Sequence, residues 1–133
     1  PQFVQQFGGY RVQGRSEKQA EIIRQQAQQL QQAGCFSLVL ECVPAQLAKQ
    51  ITAELAIPTI GIGAGADTSG QVLVLHDLLG LQRQLQPKFV KRYLDGFGLM
   101  QEALTSYHNE VQQGVYPAEE HSYAGGVAHA VPE

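Results

Sequence analysis

The chain has 133 residues, 44% hydrophobic and 16% charged, a length that fits one domain around a modest core rather than two. Nine Lys and Arg against twelve Asp and Glu leave a net charge of -3, so no basic excess exists to neutralise a run of phosphates and nucleic-acid binding is disfavoured. Apolar runs of a handful of residues, and no charged stretch leading into an apolar one at the front, remove a transmembrane span and a secretory signal, and the chain reads as soluble. It begins at Pro1 rather than Met, and Phe3-Val4-Gln5-Gln6-Phe7 reads like the middle of something, which processing or a missing N-terminal segment would explain.

In chain order, Ser16-Glu17-Lys18-Gln19 is a capping-box pattern, followed by Ala20, Ile23, Ala27 and Leu30 at spacings of three and four. This predicts an amphipathic helix ending near Gly34, with the Gln-rich stretch 25–32 on its solvated face. Phe36-Ser37-Leu38-Val39-Leu40 is short and nearly all apolar, which predicts a strand buried on both faces in a parallel sheet, stopping at Glu41. Pro44 suits the first turn of a second helix, where Leu47, Ile51 and Leu55 repeat every four residues before Pro58 ends it. Thr59-Ile60-Gly61-Ile62 is a second strand that runs into Gly63-Ala64-Gly65, and residues 71–75 form a third, ending at His76-Asp77.

Pro87 then opens a helical segment through Tyr93, and Leu99, Ala103, Tyr107 and Val111 mark a further helix closed by Gly114. Val115-Tyr116-Pro117 is an extended link, residues 1–123 form the domain, and residues 124–133 read as a flexible tail. Strand, helix, strand repetition makes the fold class α/β, with right-handed crossovers. Three strands do not close a barrel, so the sheet keeps exposed edges that something ought to pair with.

Cys35 and Cys42 flank the first apolar run with six residues between them. On a strand they point to opposite faces beyond disulfide reach, and the spacing matches no recognised metal site. Both therefore read as buried reduced thiols in a cytoplasmic, reducing compartment.

Glu41 follows a run predicted to be buried, at the C-terminal end of a parallel strand, the end that faces the ligand crevice in α/β folds. Burial there raises a carboxyl pKa and makes a general base, while the bland alternative is a Glu that pairs with a Lys or Arg or caps the helix near Pro44. Gly61-Ile62-Gly63-Ala64-Gly65-Ala66 formally satisfies the dinucleotide fingerprint, but Asp67-Thr68-Ser69-Gly70 and a strand follow it where a helix is needed. The glycines instead let a backbone approach a ligand or a neighbouring strand closely. In His76-Asp77 the aspartate either orients an imidazole or helps the pair hold a turn. Glu119-Glu120-His121 gathers possible metal ligands on an irregular stretch where adjacent residues rarely converge on one ion, and Lys88, Lys91 and Arg92 read as a solvated helix face.

Five stretches together resemble the ketopantoate hydroxymethyltransferase family: Phe7-Gly8-Gly9-Tyr10-Arg11-Val12-Gln13-Gly14-Arg15, Leu38-Val39-Leu40-Glu41-Cys42-Val43-Pro44, Ile57-Pro58-Thr59-Ile60-Gly61-Ile62-Gly63-Ala64-Gly65, Val74-Leu75-His76-Asp77 and Gly114-Val115-Tyr116-Pro117-Ala118-Glu119-Glu120-His121-Ser122. The resemblance runs in order from about Phe7 to Tyr123 and covers the C-terminal half of the family's length. It implies the C-terminal half of a (βα)8 TIM barrel of the phosphoenolpyruvate/pyruvate superfamily, assembled as a homo-oligomer, typically a decamer. The implied reaction moves a one-carbon unit from 5,10-methylenetetrahydrofolate to 3-methyl-2-oxobutanoate, giving 2-dehydropantoate on the route to pantothenate and coenzyme A. Mg2+ is implied to chelate the substrate's 2-oxo and carboxylate oxygens, and Glu41 matches the glutamate that takes the C3 proton.

The Gly61 to Gly65 loop and His76-Asp77 fall on the same active face by this resemblance, without individual contacts. The family's metal ligands, two aspartates and a glutamate, and its substrate-gripping serine and lysine belong to the N-terminal half. No metal ligand or cofactor-binding residue is therefore assigned in this chain, and the segment alone is expected to be inactive. The alternative is a half-barrel that persists as a non-catalytic binding or assembly module. The two separate on intact mass and on a search for a partner chain at strand 36–40.

Overall fold

The computed structural model describes residues 13–84, 87–123 and 125. The part of the first motif before Gln13, and the tail reading for 124–133 apart from Gly125, lie outside the described residues. The elements in order are α1 (Glu17–Gln32), β1 (Leu38–Glu41), α2 (Ala45–Glu54), β2 (Thr59–Ile62), β3 (Gly70–Gln71), α3 (Leu75–Leu78), α4 (Gly96–Gln113) and a 3-10 turn, Glu119–His121. The strands form one parallel sheet in the order β1-β2-β3, the α/β arrangement expected.

α1 starts where its cap dictates: the Ser16 hydroxyl accepts the Gln19 N–H at 3.3 Å. Ala27 on its apolar stripe is buried, with Ala20 and Ile23 packed beside it, whereas Leu30 at the end of the stripe is exposed. α2 buries Leu47, Ala48 and Ile51, and the core joins these to Ala27, Leu38, Leu40, Val43 and Ala64. The two helices are tied at the surface by Arg24, whose guanidinium donates to Glu54 at 2.8 Å and to Glu21 at 2.7 Å. β2 and β3 are pinned by hydroxyls: the fully buried Thr59 shares a 2.7 Å hydrogen bond with Thr52, and the Thr59 N–H donates to Ser69 Oγ at 3.1 Å.

Three expectations are corrected. The first strand is not buried on both faces and does not begin at Phe36. Its first bond to β2 is Leu38 N–H to Pro58 O at 3.0 Å, so Phe36 lies before the pairing begins, and Val39 is 63% exposed because α1 and α2 cover one face only. The third strand is two residues rather than 71–75. Val72 N–H donates to Gly61 O at 3.0 Å, after which β2 turns away at Gly63 and leaves no backbone to pair; His76 and Asp77 therefore sit in the α3 turn rather than at a strand end.

Residues 87–93 form a turn and not the expected helix, so Lys88, Lys91 and Arg92 share no helical face. Tertiary pairing draws this backbone out: Tyr93 N–H donates to Leu78 O at 2.8 Å, followed by Gly96 N–H to Leu79 O at 2.9 Å.

α4 is capped by Asp95, which accepts the Gly98 N–H at 3.2 Å, and it closes at Gly114 as expected. Its apolar residues Leu99, Leu104, Tyr107 and Val111 are exposed. The link after it folds back, with Val115 N–H donating to Glu110 O at 2.9 Å and the Tyr116 ring set edge-on to Tyr107. No helix among the described residues is long and apolar enough to cross a membrane.

Candidate active site

Parallel register fixes which side chains share a face. Leu38 and Leu40 on β1, with Thr59 and Gly61 on β2, turn toward the helices and are buried. The alternation places Val39 beside Ile60 and Glu41 beside Ile62 on the opposite, open face. Glu41 is the last residue of β1 and is exposed, so the expectation of a carboxylate desolvated by its own strand is corrected. The same geometry removes its bland alternatives. Among the described residues no cation pairs with Glu41, and α2 begins at Pro44 without a side-chain cap. An open groove of about 700 Å³ runs along the β1 edge, lined by Gln13, Gly14, Ile22, Val39 and Glu41 among others.

The glycine loop stands next to Glu41, because Cys42 N–H donates to Ile62 O at 2.9 Å just before Gly63. Gly63 and Gly65 have φ of 66° and 81°, where a side chain is disfavoured. Contact reinforces the requirement: a Cβ at Gly63 would stand 2.8 Å from the Phe89 ring, and one at Gly65 would collide with Ala45. Gln71 holds the loop from beneath, its Nε2 donating to Gly65 O and to Thr68 Oγ1, each at 2.8 Å. The next regular element is β3, not a helix, so no dinucleotide turn is formed. Beyond Gly63 a cavity of about 600 Å³ is lined by Gln71, Leu73, Phe89, Lys91 and Tyr93, with Lys91 Nζ 4.9 Å from the Tyr93 ring centre.

The remaining candidates do not join Glu41. The Asp77 carboxylate accepts from Gln82 Nε2 at 2.9 Å and its carbonyl accepts from Gly80 N–H at 3.1 Å, which is the turn-holding role. His121 Nδ1 accepts the Ala118 N–H at 3.1 Å, and its Nε2 is 3.8 Å from Glu120. Among the described residues no group of three His, Cys, Asp or Glu side chains could hold a metal ion, so the implied Mg2+ does not fit the donors described here and no step is routed through it.

Both cysteines are free and half-buried rather than fully buried, and both lie outside β1. Sequence reasoning missed the left-handed backbone at Cys42, with φ of 53°. No local pattern marks it: Val43 joins the core with Leu38 and Leu40 although strict alternation would place it on the other face, a phase break visible only in the fold.

Residues 1–119 match the family model described as ketopantoate hydroxymethyltransferase. The chain is 59% identical over 124 residues to the 3-methyl-2-oxobutanoate hydroxymethyltransferase of Bdellovibrio bacteriovorus, covering 93% of this chain and 47% of that protein. It is 58% identical over 123 residues to the protein of the same name from Legionella pneumophila and 53% identical over 123 residues to that from Francisella tularensis, covering 92% of this chain and 47% of each. The chain thus spans about half the length of the curated relatives it matches. With 119 of its 133 residues matched by the family model, the chain belongs to the ketopantoate hydroxymethyltransferase family.

Proposed function

We propose that this chain is the Glu41-bearing part of a hydroxymethyltransferase acting on 3-methyl-2-oxobutanoate, in which Glu41 takes the proton from C3. The carrying observation is the place of Glu41: an unpaired carboxylate among the described residues, last on a parallel strand, facing the open side of the sheet beside the glycine loop. The relatives' shared name supplies the substrate.

A carboxylate oxygen that accepts the C3 proton leaves the C–H electron pair in an enolate spread over C3, C2 and the 2-oxo oxygen. Water adds to the methylene of 5,10-methylenetetrahydrofolate as the first carbon–nitrogen bond breaks, and the hydroxymethyl group so formed leaves the second nitrogen as formaldehyde, each nitrogen ending with one of the water protons. C3 then adds to the formaldehyde carbon, forming the carbon–carbon bond as the carbonyl pair moves to oxygen, and that alkoxide takes the proton held by Glu41, so the hydroxyl oxygen is the water's. In this reading the open face is closed by the rest of a (βα)8 barrel, which desolvates Glu41 and brings Mg2+ on ligands from outside this segment. Assembly as a homo-oligomer, decameric in the full-length protein, and a place in the cytoplasm belong to the same reading, and the uncovered apolar side of α4 supports a further packing partner.

The test is a chimera in which this chain replaces the matching part of the Bdellovibrio bacteriovorus relative. The chimera is expected to form 2-dehydropantoate carrying label from the donor methylene, and the 133-residue chain alone to form none. An inactive but folded chimera would contradict the activity, and turnover by the chain alone would contradict its dependence on the rest of the barrel.

A further inference from the structure

We infer that the left-handed turn at residue 42 is the positioning element for Glu41, acting through the backbone of Cys42 and not through its thiol. The inference rests on the reading of Glu41 as the base. Cys42 is the one non-glycine residue with positive φ among those described, at 53°. Left-handed backbone is disfavoured for a residue with a Cβ and is tolerated best by Gly, Asn and Asp. Such a conformation persists where its surroundings over-determine it, and it clusters at functional sites.

Here the surroundings hold both backbone groups of the residue. Cys42 N–H donates to Ile62 O at 2.9 Å, and Cys42 O accepts the Gln13 N–H at 3.0 Å. The consequence is visible in the burial pattern. Leu38 and Leu40 point into the core, while Val39 and Glu41 point to the open face. An unbroken strand would continue with residue 42 inward and residue 43 outward. Instead Val43 is 7% exposed and packs in the core with Leu47. The alternation of β1 puts Glu41 on the open face; the turn at 42 ends the strand there, with the peptide that follows Glu41 pinned to Ile62 O, and returns the chain to the core so that it enters α2 at Ala45 with Val43 as its anchor. The thiol does not compete for the chemistry: burial, then the nearby Glu41 charge, pushes its pKa up, so it stays protonated at neutral pH.

The test uses hydrogen–deuterium exchange at C3 of 3-methyl-2-oxobutanoate, catalysed by the chimera described above. Cys42→Gly and Cys42→Asn accept left-handed backbone, whereas the similarly sized, β-branched Cys42→Val does not. The Gly and Asn variants are expected to exchange within about 3-fold of the parent, and Cys42→Val to lose about 100-fold in kcat with KM held within about 3-fold. Simple loss of folded protein would also lower apparent kcat with KM unchanged, so kcat is expressed per folded chimera, with the folded fraction read by circular dichroism.

A folded Cys42→Val that exchanges at the parent rate overturns the inference, and so do folded Gly and Asn variants that lose exchange, because the thiol would then be required. Should Cys42→Val not fold, Cys42→Thr, also β-branched and of similar size, takes its place with the same expected loss, and parent-like exchange by a folded Cys42→Thr overturns the inference. Glu41→Gln run in parallel separates the two claims. Parent-like exchange by Glu41→Gln removes the base reading itself, whereas its loss beside an active Cys42→Val removes the positioning role alone.

Discussion

The two faces of the sheet carry different kinds of residue and teach different things. Under α1 and α2 the strands present Leu38, Leu40, Thr59 and Gly61, all buried, and every other member of the core cluster except Ala27 lies between Val43 and Ala64. On the other face Val39, Ile60 and Ile62 surround no core of their own, and Glu41 stands among them at the C-terminal end. One face holds the β-α-β unit together; the other holds the carboxylate with the best claim to chemistry. A single strand supplies both because its period is two, and the left-handed residue after Glu41 lets the chain return to the core at once.

Substitutions on the two faces should separate sharply. Ile51 is 1% exposed beneath the covered face, and Ile51→Ala is expected to cost about 2–5 kcal/mol in denaturant unfolding of the chain. A cost near zero would mean that the covered face is not the one that supplies stability. Val39→Ala on the open face should change the stability of the same chain by about 0.5 kcal/mol or less. In the chimera, where the proposed barrel would be completed, the same change should cost more than about 1 kcal/mol, since the two lost methyl groups are then buried. Equal small costs in both proteins would show that the open face stays open, and the barrel closure proposed above would fail.

Much of this was legible in the residues themselves. The Ser16 cap and the four-residue spacing of Leu47 and Ile51 located α1 and α2, and Thr59-Ile60-Gly61-Ile62 gave β2 with its observed bounds. What failed depended on partners that a local pattern does not contain. The apolar run 36–40 is compatible with one covered face or with two, and only the placement of α1 and α2 decides between them. Val72, Leu73 and Val74 have strand composition, but the backbone they needed had already turned at Gly63. The stripe on α4 was read correctly as helical, yet periodicity says nothing of what covers it.

At the site, the position of Glu41 was legible and its burial was not. The strand-end rule placed the carboxylate, whereas desolvation depends on what lies across the sheet. Cys42 gave no compositional sign of a left-handed backbone, because Cys is not a residue that favours it.

The most direct measurement is the rate of C3 deuterium exchange in 3-methyl-2-oxobutanoate without folate donor, comparing the chimera with its Glu41→Gln form. The Gln side chain keeps nearly the same shape and removes the proton acceptor. Exchange is expected to fall by about 100-fold to 10,000-fold while the melting temperature stays close to the parent's, since Glu41 makes no ion pair among the described residues. Equal exchange rates in the two folded proteins would contradict the assignment of Glu41 as the base.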